Sequence, residues 1–244
     1  MMNEPEYISE LGVVGAPLRY KWSNDLALEF YAAKDQNLKL YDAVDLSTYR
    51  AVMALGIVVT ECIVWRFKGL TNLTDSMNRV EAAWASSLDP TYARSLKIEF
   101  TKDNDREFVE GPLELAMRVL NILDTRFRKG LIYLPGTVVK QAILAQHLFP
   151  DKKKFSNWLS DLLKRTAEAF PRTVKYDRKT EIYDASLEKP VPPQFFSTRF
   201  TYSEAAARDA WNQFLQSLKP AENPYLRTPD EMIAAGFEGT PYVL

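Results

Sequence analysis

The chain has 244 residues, 46% of them apolar and 12% aromatic, with a formal net charge of −1. That composition supplies a substantial core and excludes a disordered chain. The balanced charge argues against nucleic acid or an anionic membrane as the main partner, where a basic surplus would be expected.

One cysteine, Cys62, rules out an intramolecular disulfide. With a single histidine, His147, a zinc site assembled from several Cys and His ligands is also excluded, and a Ser-His-Asp device would have only one candidate base. The opening MMNEPEYISELGVV carries acids early and lacks a basic stretch leading into an apolar one. It does not read as a secretory signal, and a cytoplasmic protein is the expectation.

Residues 1–20, with Gly12, Gly15 and Pro17, read as an irregular arm. Ser23 caps a helix through Leu26, Phe30 and Ala33 that ends near Asn37, and Leu38–Tyr41 reads as a connector. The stretch Asp45–Lys68, DLSTYRAVMALGIVVTECIVWRFK, then predicts a helix apolar on nearly every side. Such a helix must be covered on nearly every side, so it is expected at the centre of the core. Asp45 or Ser47 serves as N-cap, Arg66 and Lys68 sit where a C-terminus favours cations, and Gly69 follows. Two readings compete with it. The β-branched Ile57–Val59 suits a central strand. A membrane span needs roughly 20 predominantly apolar residues, but here Glu61 cuts the run and Arg66 and Lys68 close it.

A helix opening at Thr71 or Thr74 carries one apolar stripe through Met77, Val80, Trp84 and Leu88. Asp89-Pro90 starts a short helix to Ser95. Residues 96–110 alternate apolar and polar positions around Lys102–Asp105 and predict a β-hairpin. Helices follow from Gly111-Pro112 to Gly130, from Pro135 through His147 to Pro150, and from Asp151 to Phe170-Pro171. Val174 and Tyr176, then Ile182-Tyr183, flank a polar tip and predict a second hairpin over 171–184. The proline-rich segment 188–200 cannot be helical, and its Phe195, Phe196 and Phe200 should press it onto the core. It joins a C-terminal helical extension, 201–244, with capping-box pairs Thr201/Glu204 and Thr228/Glu231.

The expected fold is therefore mainly α: a multi-helix bundle of about seven or eight helices around the buried helix 45–68, with one or two small β-hairpins. Residues 1–244 read as a single helical domain.

No sequence motif names a reaction. Neither a P-loop nor a dinucleotide glycine fingerprint occurs. Asp103, Asp105 and Glu107 alternate like a calcium loop, but the glycine such a loop needs is replaced by Phe108, so they read as a solvated or partner-facing tip. Glu61, if buried, must be paired, hydrogen-bonded or protonated, and a neighbouring arginine is the expected partner. His147 near a helix C-terminus reads as a cap, and Cys62 as a small hydrophobe. Lys152–Lys154 and the group Arg172, Lys175, Arg178 and Lys179 are local basic runs; the first lies in a helical turn where cations oppose the helix dipole.

By elimination, the leading expectation is a non-catalytic protein-binding protein of inhibitor or adaptor type, for instance a bacterial immunity protein that neutralises a toxin. Asp103, Asp105, Glu107, Lys175, Asp177 and Arg178 would face the partner. No cofactor, metal or membrane is expected, and nucleic acid is disfavoured. One alternative is an enzyme using Glu61 or Asp124 with a divalent metal in a helical bundle. The other is a nucleic-acid-binding protein using the basic runs, whose affinity would depend steeply on salt.

Overall fold

A computed structural model of the chain describes residues 4–32, 37–98, 108–173 and 182–244. Ten α-helices occur among them: α1 Glu6–Leu11, α2 Asn24–Ala32, α3 Leu38–Asp45, α4 Tyr49–Arg66, α5 Thr74–Leu88, α6 Glu110–Arg128, α7 Leu134–Leu148, α8 Lys152–Ala169, α9 Glu204–Ser217 and α10 Pro229–Ala234.

The predicted central helix is α4. Every residue in it except Arg50 is buried. It is helical throughout, so Ile57–Val59 is no strand, and no helix among the described residues is long and apolar enough to cross a membrane. The N-cap is Thr48, whose hydroxyl accepts from the Ala51 N–H, rather than Asp45 or Ser47. Asp45 instead ends α3, the segment read as a connector, whose N-cap Asn37 accepts from Leu40 N–H. A second helix missed in sequence is α1, which turns Tyr7, Ile8 and Leu11 inward from the supposedly irregular arm.

Helices α5, α6 and α7 pack directly around α4, and α6 touches both of the others. Helix α2 lies across α6 and α7, while α3 and α8 form an outer layer against α7, with α1 on α8. The proline-rich segment closes the remaining side: Val191, Phe195 and Phe196 are buried, and the Phe196 ring meets Trp84 at 5.7 Å. The sequence-level caps Asp89, Asp151 and Thr228 are all in place, the last as a full capping box with Glu231. Helix α9 is capped by Ser203, not Thr201, and Pro90–Tyr92 forms only a 3-10 turn.

The described residues contain no β-strand, only isolated bridges, so the two expected hairpins are not supported. Their tips fall on 99–107 and 174–181, outside the described residues. The described flanks bond elsewhere. Arg94 N–H donates to Tyr225 C=O at 2.8 Å and Arg227 N–H to Tyr92 C=O at 2.9 Å, while the Arg79 guanidinium takes the Leu96 and Lys97 carbonyls. The second pair of flanks is claimed by Leu46 and Gly130. Alternation here marks segments half-covered by the core, with backbone groups satisfied by distant partners.

Gly56 sets how closely α4 approaches its neighbours. A Cβ there would lie 2.4 Å from a Leu123 methyl on α6 and 3.2 Å from Val138 on α7. Both neighbours are fully buried and cannot retreat. Gly56→Val is expected to destabilise the fold by about 3 kcal/mol, read from urea unfolding; native-like stability would show that the α4–α6 contact is looser than described.

Candidate functional site

The six residues predicted to face a partner, Asp103, Asp105, Glu107, Lys175, Asp177 and Arg178, lie outside the described residues. Their anchoring points are described, and those of the second segment converge on one place: the N-terminal end of α4.

On the incoming side, Thr48 N–H donates to Phe170 C=O at 2.9 Å, and Arg172 N–H donates to Leu46 C=O at 2.8 Å. The Arg172 guanidinium bonds Ser47 C=O at 3.1 Å and pairs with Asp45 at 2.8 Å. On the returning side, Tyr183 N–H donates to Gly130 C=O at 2.6 Å, and its ring stacks on Tyr49 with centroids 5.0 Å apart. The Tyr183 hydroxyl donates to Glu188.

Glu188 is the residue that fixes this end. Its two carboxylate oxygens accept the N–H groups of Tyr49 and Arg50 at 3.1 and 2.8 Å, so an acid from the proline-rich segment caps the first turn of α4. A carboxylate at the positive end of a helix is favourable twice over, through hydrogen bonds and through the dipole. Arg50 then reaches the Ala185 carbonyl and the last carbonyls of α5, Ser87 and Leu88. Burial lowers the Arg50 pKa, partly offset by the neighbouring acids Glu188, Asp89 and Asp184. No local pattern signals this cap, because its two halves lie 138 residues apart.

Around the anchored frame several large apolar side chains face outward: Leu46 at 61% exposure, Tyr133 at 46%, Ile182 at 66% and Leu187 at 97%. Leu46 and Ile182 sit directly on the two stems, Ile182 bridged to Leu131 two residues before Tyr133.

Glu61 is buried, but its partners are neutral donors rather than an arginine. The Tyr7 hydroxyl donates to Oε2 at 2.6 Å and the Trp84 indole N–H at 3.1 Å. Desolvation raises the Glu61 pKa, and the hydrogen bonds from Tyr7 and Trp84 draw it part of the way back. A guanidinium in this position would itself have to be desolvated, a cost that neutral donors avoid. Asp124 is likewise enclosed, accepting from Ser86 Oγ at 2.6 Å and paired with Arg128 at 2.7 Å. Cys62 is fully buried, and burial pushes its thiol pKa well up. His147 lies in the last turn of α7, but it holds the N-terminal arm, its Nε2 donating to Lys21 C=O at 2.7 Å, instead of capping its own helix. No group of three or more His, Cys, Asp or Glu side chains with metal-binding geometry exists among the described residues.

No family model, curated protein or solved structure matches the chain.

Two expectations follow. Glu61 keeps its proton to higher pH in the folded chain than in the unfolded one. Its contribution to stability is therefore fully present below the ordinary value of 4.5 and is lost as pH rises through the raised folded value. Glu61→Gln removes that loss, so urea unfolding from about pH 4.5 to about pH 8 should show the variant gaining on the native chain as pH rises. A gap independent of pH would refute the assignment. At the other site, Gly130 has φ +64°, and a Cβ there would lie 2.6 Å from Tyr183 C=O. Gly130→Ala is expected to cost about 2 kcal/mol and to speed amide exchange at Tyr183, Tyr49 and Arg50; protection unchanged at all three would contradict the anchoring.

Proposed function

We propose that the chain works by binding another protein, as an inhibitor or adaptor, with a toxin neutralised by a cytoplasmic immunity protein as one instance. The observation that carries this reading is the group Leu46, Tyr133, Ile182 and Leu187, exposed around a fixed frame at the start of α4. Exposed apolar groups on a rigid support are what association rewards, because little side-chain and backbone entropy remains to be lost. Lys175, Asp177 and Arg178, expected from the sequence to face the partner, lie outside the described residues.

The alternatives draw less support. A carboxylate-metal enzyme needs Glu61 or Asp124 free to hold an ion, and Glu61 Oε2 and both Asp124 oxygens already accept from the protein's own donors, which leaves the buried Glu61 Oε1. Of the basic residues assigned to nucleic acid, Arg172 is committed to Asp45 and Ser47.

The test is co-expression with the product of the adjacent gene, followed by size-exclusion chromatography. A stoichiometric complex is expected with the native chain. Ile182→Glu and Leu187→Glu, both at solvent-facing positions, should weaken it at least about tenfold while leaving thermal unfolding unchanged. A complex indifferent to both substitutions, or none with the native chain, would sink the proposal.

A further inference from the structure

At the opposite end of α4 lies a cleft of about 350 Å³ that the protein-binding reading does not use. Four parts of the chain form it: the N-terminal arm supplies Arg19 and Lys21, the end of α7 and the residue after it supply His147 and Phe149, the start of α8 supplies Lys152, and α2 supplies Leu26. Among the described residues no aspartate or glutamate lines it. Arg19, Lys21 and Lys152 are exposed, and among the described residues none has an ion-pair partner.

A fourth cation lies beneath. Arg66 is fully buried at the last residue of α4, and among the described residues its guanidinium is met by carbonyls alone: Val13 at 3.3 Å, Ala16 at 2.6 Å, Pro17 at 2.8 Å and Leu148 at 3.5 Å. Burial lowers its pKa, with Tyr20 of the cleft wall partly offsetting the effect. A buried cation without a carboxylate is costly unless something compensates it. Through those carbonyls Arg66 fixes the arm that carries Arg19 and Lys21, and it anchors Leu148, another residue of the cleft wall.

His147 completes the built part. Its Nε2–H is committed to Lys21 C=O, and its ring packs between Tyr20 and Phe30 at 5.9 and 4.9 Å. The lysines at the start of α8 also lie at the positive end of that helix, a position the dipole disfavours for cations and where both contribute positive potential.

We propose that this cleft binds a small phosphate-bearing ligand of nucleotide size. A guanidinium and two ammoniums lining one cleft, with no acid among its described lining residues, suit a dianionic phosphate better than a single carboxylate. The volume falls at the small-molecule end of ligand sites. Leu26, Tyr20 and Phe149 offer an apolar and aromatic wall for a planar group attached to the phosphate.

The probe is adenosine 5′-monophosphate, titrated calorimetrically into the full chain at low salt, with adenosine as the control lacking phosphate. Saturable one-site binding of the monophosphate, absent for adenosine, is expected. Arg19→Gln and Lys152→Gln should each weaken it by about tenfold or more, the loss of one charge-assisted hydrogen bond, with thermal unfolding unchanged because both side chains are exposed. Absence of saturable heat for the monophosphate, equal binding of adenosine, or affinity unaltered in both variants would overturn the assignment.

Discussion

A helix buried on every side must find all its polar partners inside the protein, and that constraint on α4 organises the molecule. Inside an apolar environment an unmet polar group costs more than a hydrogen bond returns. Each polar residue of α4 therefore recruits a different part of the chain. Thr60 gives its hydroxyl to Gly56 C=O and accepts from Gln141 of α7, which also bonds Ala116 C=O of α6. Glu61, one residue on, faces the other way, to Tyr7 and Trp84. Tyr49 donates to the carbonyl groups of Arg126 and Leu131, at the end of α6 and just beyond it. The two residues that interrupt the apolar run in sequence are thus the ones that register α4 against α1, α5, α6 and α7.

What the sequence made legible follows from the range of the forces involved. The buried helix is visible because its apolarity is a property of contiguous residues. The caps at Asp151 and Thr228 are visible because side chain and amide lie within one turn. The Glu188 cap and the Arg66 carbonyl cage were not legible, since the pairing depends on how the bundle closes. Helix α1 escaped notice for a related reason: six residues are too few to show a period, and what holds them is Tyr7 reaching Glu61.

The two expected hairpins, which no strand among the described residues supports, show how weak a strand signal period-2 alternation can be. Leu96 is buried and Lys97 exposed, as in a strand, yet the carbonyls of both residues are taken by Arg79. Alternation requires only an extended segment with one side on the core. A ladder further requires a neighbouring backbone in register, and here the neighbours are side chains and single bridges. The predicted partner residues in 99–107 and 174–181 were attached to those hairpins. Only the second set gained structural context, from the frame at its two stems.

The two ends of α4 then acquire opposite characters from the same requirement. At its start, the amides of the first turn are closed by an acid of the chain itself, so the positive end is neutralised, and Leu46, Ile182 and Leu187 stand exposed beside it. At its finish, Arg66 is closed by carbonyls, which satisfy its hydrogen bonds but leave its charge in place. The residual charge sits under a wall that adds Arg19, Lys21 and Lys152 with no carboxylate among them. Stability alone favours neutralising such a cluster, as Glu188 does at the other end. Leaving it open is the arrangement on which the proposed phosphate site rests.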